Sequence, residues 1–301
     1  MTEMALAVME QVNAGHPLDD GQQRWMIETH DIVQLGMVAE AARTRVHGAR
    51  GTFVRVDAVP YDQVTTWEVA ADAGEVRLIG VPDNLAAAVA AVAALAGRTS
   101  VPVTGFTAHD LALAAGADLY TWCVALGDAG LRAVALARVD QVDESWLADI
   151  ARAGLSVNSL APGRPVSGDE QLALLHQVRE WQGQHRVFKA YQPLALDVPV
   201  AEPSTGYDDM RAVVAARLIL DNIDHLQVSW ARSGAKLAQA CVLFGADDID
   251  DVPARDAMPH GPRRSVLEEV RRNLTAVSLT PVERTGSFAE RDMPTPKDAG
   301  T

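Results

Sequence analysis

The chain has 301 residues, of which 48% are hydrophobic and 22% charged, a balance typical of a globular protein and not of a disordered chain. Its 26 Lys and Arg residues against 40 Asp and Glu residues give a net charge of −14, which argues against nucleic acid as a partner because phosphate binding needs a basic face. Two cysteines exclude a disulfide scaffold and any site built on several thiolates.

Residues 1–50 predict a helical lead-in. Residues 4–12 are short and amphipathic, and residues 31–47 carry apolar residues at helical spacing before Gly48. The first fifteen residues contain no basic side chain and so do not resemble a signal peptide. The most apolar stretch, residues 85–96, is shorter than the about 20 residues of a membrane span. We therefore expect a cytoplasmic protein without a membrane partner.

From residue 51 onward, short β-branched runs alternate with helical stretches. The predicted strands are 52–56, 76–79, 101–106, 133–136, 155–157, 186–191, 226–230 and a weak one at 247–249. The predicted helices are 84–96, 118–129, 144–153, 168–182, 208–221, 234–244 and 263–274. Eight strands, each followed by a crossover, predict an α/β fold of the (β/α)8 type over residues 51–284.

The prediction is weakest where the barrel begins and where it ends. Residues 57–76 leave little room for a helix, so we expect the barrel to be open or distorted at its first unit. The alternative is a doubly wound open sheet, but no glycine-rich phosphate fingerprint follows the first strand. Residues 285–301 lack periodicity and predict a flexible tail.

Functional groups of such barrels lie at the C-terminal ends of the strands. These ends fall at residues 57–63, 82–84, 107–110, 138–140, 158–159, 192, 232–233 and 250–251. As candidate catalytic residues for acid–base chemistry we take Asp57, His109 and His225. The candidate substrate-binding residues are Asp62, Asn84, Thr107, Asn158, Gln192 and Arg232.

The sequence contains none of the common catalytic motifs. A nucleophile elbow, a P-loop, a dinucleotide fingerprint and an H-E-x-x-H pair are absent, and no two of the eight histidines share metal-ligand spacing on one element. The acidic run 247–251 has two interpretations, a hard-cation site or a solvated turn before a helix, and the second is favoured. Cys123 and Cys241, each within a predicted helix, are expected to be buried structural thiols.

Residues 217–250 read R-L-I-L-D-N-I-D-H-L-Q-V-S-W, continue with Lys236 and Gln239, and end in F-G-A-D-D-I-D. This segment resembles the C-terminal part of the radical S-adenosylmethionine enzymes of the futalosine route to menaquinone, aminofutalosine synthase and dehypoxanthine futalosine cyclase. Deazaflavin synthase is more distantly similar. Weaker similarities lie at residues 31–54, 105–108, 188–194, 206–217 and 281–284. The resemblance implies a TIM-type barrel of the radical S-adenosylmethionine kind.

One departure from that family concerns its cofactor. The family carries C-x-x-x-C-x-x-C after the first strand, where three thiolates hold a [4Fe–4S] cluster whose fourth iron binds S-adenosylmethionine. The corresponding residues 57–64 contain no cysteine. The resemblance therefore implies a cluster-lacking relative, for which we expect no cofactor, and leaves S-adenosylmethionine binding open.

Three functions are compatible with these observations. The first is a non-catalytic partner or regulator of an active radical S-adenosylmethionine enzyme in menaquinone biosynthesis. The second is an enzyme with non-radical acid–base chemistry on a nucleoside-like or quinone-precursor substrate, for which a carboxylate and a histidine should converge at the barrel mouth. The third is a binding protein with an apolar pocket and a few polar anchors. A homodimer is left open by the sequence.

Overall fold

The structure is a computed structural model that describes residues 1–198, 204–255 and 265–291. Eight parallel strands form its centre: β1 (Arg50–Pro60), β2 (Glu75–Ile79), β3 (Val103–Thr107), β4 (Leu131–Arg138), β5 (Ser156–Ala161), β6 (Phe188–Tyr191), β7 (His225–Ser229) and β8 (Asp248–Pro253). Each strand pairs with the next, and β1 pairs with both β2 and β8, so that the sheet closes. The predicted (β/α)8 barrel is confirmed, and the open doubly wound sheet is excluded.

Helices follow most strands and cover the outside of the barrel. Three precede it, α1 (Glu3–Ala14), α2 (Asp20–Glu28) and α3 (Ile32–His47). The others are α4 (Leu85–Ala96), α5 (Ala108–Ala115), α6 (Leu119–Asp128), α7 (Glu144–Arg152), α8 (Gly168–His185), α9 (Gly206–Ile219), α10 (Trp230–Leu243) and α11 (Val266–Ala276). Residues 263–264, the start of the last predicted helix, lie outside the described residues.

Two helices have no counterpart in the sequence prediction. In α2 the buried side chains are Gln22 and Met26, so an apolar stripe is missing and the helix depends on a capping box between Asp19 and Gln22. In α5 the Thr107 side chain caps the first turn by accepting from the backbone N–H of Asp110 at 3.0 Å. Both helices are short, at 9 and 8 residues, which weakens any periodic signal.

The first βα unit is contracted but intact. A single 3-10 turn, Tyr61–Gln63, stands between β1 and β2 where the other units have an α-helix. Five residues of β1, from Val56 to Pro60, pair in register with β2. The expected shortage of room is therefore real, whereas the expected opening of the barrel is wrong.

A ninth strand, β9 (Thr280–Glu283), pairs in parallel with the first half of β1. The residues after it, 284–291, enter the N-terminal end of the barrel, and we call them the plug segment. The Arg284 guanidinium donates to both carboxylate oxygens of Asp248 at 2.6 Å, and Asn158 Nδ2 donates to the Gly286 carbonyl at 2.7 Å. Phe288 stacks on His225 with ring centroids 4.9 Å apart.

The plug segment differs from the flexible tail expected from residue 285. Because Asp248 and Asn158 are buried polar groups inside the barrel, they need partners, and the plug segment supplies them. Residues 292–301, the rest of that predicted tail, lie outside the described residues. In the part of the chain that is described, no helix is both long enough and apolar enough to cross a bilayer.

Candidate functional site

The C-terminal ends of the strands surround a cavity of about 530 Å³, which we call the mouth cavity. Its walls are largely apolar, with side chains such as Val56, Leu78, Phe106 and Leu136. Polar groups interrupt this surface at a few positions, namely Arg77, Thr107, Asp110, Ser159, Gln192, Arg232, Asp250 and Asp251. Size and lining are those of a small-molecule site in a barrel of this type.

A β-bulge in β8 shapes one wall of the mouth cavity. Ile249 lies opposite Phe53 of β1 and Val252 lies opposite Arg55, so that Asp250 and Asp251 together oppose a single residue. Neighbouring residues of a regular strand point to opposite faces. The bulge instead allows both adjacent carboxylates to line the cavity.

Arg77 of β2 binds three carboxylates. Its guanidinium contacts Glu75 at 2.7 Å, Asp250 at 2.8 Å and Asp251 at 2.5 Å, and its side chain is 13% exposed. We call these four residues the carboxylate cluster. One cation cannot neutralise three anions, so the cluster carries excess negative charge whenever all three carboxyl groups are ionised.

The two carboxyl groups of the bulge differ in pKa. Burial alone would raise the pKa of Asp250, but the charge and hydrogen bonds of Arg77 hold it below its ordinary value. For Asp251, burial and the neighbouring Asp250 charge raise the pKa above its ordinary value. Burial would lower the pKa of Arg77, but Asp250 and Glu75 raise it well above that of a free arginine. Asp251 is thus the carboxyl group of this pair that most readily takes up a proton.

Two residues of the mouth cavity have strained backbones. Phe106 at the end of β3 has φ of 59°, and Asp251 has φ of 56°, in the left-handed region that side chains with a Cβ rarely adopt. Such a conformation costs on the order of 1–3 kcal/mol and persists where the surrounding structure enforces it, most often at functional sites. Both strained residues line this one cavity.

The mouth cavity also contains an unused hydrogen-bonding group. Ser159 is 4% exposed, and its Oγ is buried without a hydrogen-bond partner among the described residues. A buried hydroxyl of this kind gains free energy when a bound molecule or water supplies a partner. Together with Gln192, which is 5% exposed, Ser159 offers polar anchors on an otherwise apolar wall.

The structure brings three of the nine sequence-predicted site residues to the mouth cavity: Thr107, Gln192 and Arg232. The Thr107 hydroxyl also caps α5, and the Arg232 guanidinium donates to the Leu196 carbonyl. Asp62 and Asn84 are exposed and do not line the cavity, and the Asn84 side chain caps α4.

The three predicted catalytic residues lie far apart in the fold. Asp57 is buried on the outer face of β1, where its carboxylate accepts from the Trp67 indole at 3.2 Å and the Ala70 N–H at 2.7 Å. His109 lies in α5 beside the Trp146 ring of α7, with ring centroids 6.2 Å apart. The convergence of a carboxylate and a histidine at the mouth, expected for acid–base catalysis by these groups, is absent from the described residues.

His225 and Asn158 lie at the opposite end of the barrel from the mouth cavity. His225 is the first residue of β7, and Asn158 contacts the plug segment. The expected position of His225 at the mouth is wrong, because the C-terminal end of β7 is Ser229. Ser229 indeed reaches the mouth, where its hydroxyl donates to Asp251 at 2.6 Å.

The acidic run 247–251 is not the solvated turn that the sequence favours. Its residues lie in and just before β8, where guanidinium groups hold the carboxylates: Arg217 binds Asp247, Arg284 binds Asp248, and Arg77 binds Asp250. Asp247 and Asp248 are fully buried, which a solvated turn would not produce. The run is therefore an internal ion-pair system of the barrel.

Sequence reasoning missed Glu75 and Arg77, because neither lies at the C-terminal end of β2, where functional residues were sought. A signal was present: two opposite charges spaced two residues apart in a strand that a parallel barrel buries on both faces. Strands of this kind are usually apolar throughout. Charges on one face of such a strand indicate a polar lumen.

The residues of this chain do not fit a [4Fe–4S] cluster held by three thiolates, as in the family that the sequence resembles. Cys123 lies in α6 and Cys241 in α10, and both are buried free thiols. Burial raises the pKa of the Cys123 thiol to about 12 and that of Cys241 also above its ordinary value, which disfavours the thiolate form that ligates iron. With two cysteines in the chain, three thiolate ligands cannot be assembled from it.

Comparison with known proteins identifies relatives of this chain. It is 28% identical over 174 residues to aminodeoxyfutalosine synthase of Thermus thermophilus, covering 52% of this chain and 46% of the relative. It is 30% identical over 128 residues to cyclic dehypoxanthine futalosine synthase of Streptomyces coelicolor, covering 39% and 32%. It is 34% identical over 124 residues to 5-amino-6-(D-ribitylamino)uracil--L-tyrosine 4-hydroxyphenyl transferase of Methanoculleus marisnigri, covering 36% and 34%.

The resemblance seen in the sequence is thereby confirmed. The matched part spans about a third to a half of the length of these curated relatives. No family model matches the chain. Among solved structures, methylornithine synthase aligns with a TM-score of 0.69 at 11% identity, covering 91% of this chain and 97% of that one. The maturase HydG of Carboxydothermus hydrogenoformans aligns with a TM-score of 0.61 at 10% identity, covering 93% and 79%. These two likenesses concern the fold.

Proposed function

We propose that this protein is a cytoplasmic, cluster-free relative of the futalosine-pathway enzymes that binds a small molecule in the mouth cavity. In this proposal it acts as a non-catalytic partner or regulator of an active radical S-adenosylmethionine enzyme in menaquinone biosynthesis. One observation carries the proposal. The mouth cavity is open, has polar side chains in its lining and includes two residues with strained backbones, in a chain that lacks the three cluster-binding cysteines of the family it resembles.

The lining of the mouth cavity supports a ligand with a flat apolar part and a few hydrogen-bonding groups. Apolar walls bury the flat part, while Ser159 and Gln192 fix its orientation. The carboxylate cluster favours hydroxyl or amino groups of the ligand, because its excess of acceptors attracts donors. Nucleoside-like molecules and aromatic quinone precursors have this composition.

A calorimetric titration with S-adenosylmethionine, adenosine, aminofutalosine and dehypoxanthine futalosine, with iron analysis of the same sample, tests the proposal. We expect saturable binding of at least one of these molecules, less than stoichiometric iron and no ligand-derived product by mass spectrometry. Pull-down of a radical S-adenosylmethionine enzyme should depend on that ligand. Stoichiometric iron, product formation, or binding of neither ligand nor enzyme would contradict the proposal.

Replacing Ser159 with Ala provides the matching prediction for the mouth cavity. Because the Ser159 hydroxyl has no partner among the residues that the structure describes, its removal should leave stability unchanged within about 0.5 kcal/mol and weaken ligand binding about three- to tenfold. Ser156→Ala on the same strand, β5, is the control, since Ser156 lies near the opposite end of the barrel. Equal affinity of the two variants would show that the ligand binds elsewhere.

A second candidate function is supported by the bulge of β8. Asp250 and Asp251 are adjacent carboxyl groups whose surroundings move their pKa values in opposite directions, an arrangement used for general acid–base catalysis. If the protein is an enzyme, Asp251 is the proton-transferring group, because it lines the cavity and is more exposed than Asp250.

Asp251→Asn tests this second candidate. Removing one of three crowded carboxylates should not destabilise the fold, so the variant should still bind ligand. If acid–base chemistry occurs, turnover of the variant should fall by about 100-fold or more, and its pH profile should lack the limb that Asp251 gives the wild type. Mass spectrometry of the product formed by the wild type and by Asp251→Asn measures this difference. Turnover that survives in Asp251→Asn would remove Asp251 from the reaction.

A further inference from the structure

A second cavity, of about 390 Å³, opens at the opposite end of the barrel from the mouth cavity. It lies at the beginnings of β4, β5 and β6 and is bounded by Gly286 and Ser287 of the plug segment. We call it the basal cavity. Its lining is mostly polar, in contrast to the mouth cavity.

Three cations line the basal cavity: Arg132 of β4, Arg186 at the end of α8 and Lys189 of β6. Within residues 1–198, 204–255 and 265–291, none of the three has a carboxylate partner within 4.0 Å. The nearby Glu144 carboxylate is already bound to His185 at 3.1 Å. In a chain with a net charge of −14, three cations without a carboxylate partner at one cavity favour an anion there.

The topology lets these cations act together. β5 lies between β4 and β6, so the strands that carry Arg132 and Lys189 are about 10 Å apart. Long Arg and Lys side chains from the two flanking strands can bind one small anion over β5. An arginine and a lysine supply the multiple N–H donors that phosphate oxygens accept.

A buried amide in the basal cavity points to a second feature of the ligand. Asn158 is 3% exposed and donates from Nδ2 to the Gly286 carbonyl, which fixes the orientation of its amide. Asn158 lines the cavity, and its Oδ1 is buried without a partner among the described residues. A carbonyl oxygen only accepts hydrogen bonds, so it requires a donor such as a hydroxyl group.

We infer that the basal cavity is a second binding site, for a phosphate monoester that also carries a hydroxyl group. Arg132, Arg186 and Lys189 hold the phosphate, and Asn158 accepts from the hydroxyl. The site is independent of the mouth cavity and of the function proposed for it. It uses a barrel end that in this fold class usually serves stability.

Calorimetric titration of the full chain with ribose 5-phosphate and, separately, with inorganic phosphate tests the inference. We expect saturable binding of ribose 5-phosphate that weakens as salt is added, and weaker binding of inorganic phosphate. The double variant Arg132→Ala, Lys189→Ala should bind at least about tenfold more weakly, since each hydrogen bond to a charged group contributes about tenfold in Kd. Both side chains are exposed, so the fold should not change.

The matched control removes one arginine and one lysine elsewhere. Arg24 and Lys236 are exposed and do not line the basal cavity, so Arg24→Ala, Lys236→Ala makes the same change in net charge. Equal weakening by the two double variants, or no saturable binding by the wild type up to about 10 mM, would overturn the site. Equal affinity for inorganic phosphate and the ester would overturn the assignment of an ester.

Discussion

Replacing Arg77 with Met should lower the free energy of unfolding by roughly 3–5 kcal/mol at pH 8, the cost of removing one partner from a buried ion pair. The substitution leaves Glu75, Asp250 and Asp251 without their shared cation. Glu75 is fully buried, and in the wild type its Oε2 already has no partner in the described part of the chain, so relaxation toward water is restricted. The loss is therefore that of uncompensated charge and not of packing.

The loss in free energy of unfolding caused by Arg77→Met should increase as the pH rises. Without the guanidinium, burial and mutual repulsion should raise the pKa of Asp250 and that of Asp251 above their values in the unfolded chain. The folded state then binds more protons than the unfolded state, so stability falls as pH rises. The difference from wild type should be largest at pH 8 and smaller at pH 5, as measured by urea unfolding at both values.

Two further variants serve as controls for this prediction. Arg77→Lys retains the charge but not the fork of donors, so it should lose less than Arg77→Met. Arg24→Met breaks an exposed helix pair with Glu28, both side chains more than 60% exposed, and should cost less than about 1 kcal/mol at either pH. A loss for Arg77→Met that is the same at pH 5 and pH 8 would contradict the account.

The alternation of strands and helices was predictable because a strand buried in a parallel barrel is a short apolar run, whereas a covering helix has apolar residues at helical spacing. The β-branched runs at 76–79 and 226–230 correspond closely to β2 and β7. The acidic strand β8 was predicted only weakly, since its carboxylates face arginines distant in sequence, such as Arg77 and Arg284. No local pattern reveals such partners.

The candidate site was predictable in its general location and not in its residues. Gln192 and Arg232 follow strand ends and reach the mouth cavity as expected. Asp57 shows why strand boundaries matter. With β1 predicted to end at residue 56, Asp57 became a loop residue, whereas β1 continues to Pro60 and the alternation of its side chains turns Asp57 outward.

The second large effect is expected at the N-terminal end of the barrel, around Asp247. Its carboxylate accepts from Arg217, from the Leu226 N–H at 2.8 Å and from His225 Nδ1 at 2.7 Å, and His47 Nε2 lies 3.5 Å away. Burial alone would raise the pKa of Asp247, but Arg217 and His225 hold it well below its ordinary value. Asp247→Asn leaves the buried Arg217 uncompensated and should cost roughly 3–5 kcal/mol.

The two histidines give this loss its pH dependence. Burial would lower the pKa of His225, but Asp247 raises it above its ordinary value, so the pair contributes stability below pH 6.5 that is lost at higher pH. Burial lowers the pKa of His47, and Asp247 opposes that shift. In Asp247→Asn both histidines resist protonation more strongly. The deficit relative to wild type should therefore grow as pH falls from 8.5 to 5.5, the reverse of Arg77→Met.

Urea unfolding across this pH range, with histidine titration by nuclear magnetic resonance, measures both parts of the prediction. In the wild type, His225 should titrate above 6.5 and His47 below it, and the His225 value should fall in Asp247→Asn. Asp221→Asn is the control, because Asp221 forms an exposed pair with Arg179 and should cost less than about 1 kcal/mol at every pH. A small or pH-independent loss for Asp247→Asn would mean that Asp247 is not the electrostatic centre of this end of the barrel. Opposite pH trends in the two variants would instead show that Arg77 lowers the pKa of neighbouring carboxyl groups, whereas Asp247 raises the pKa of neighbouring histidines.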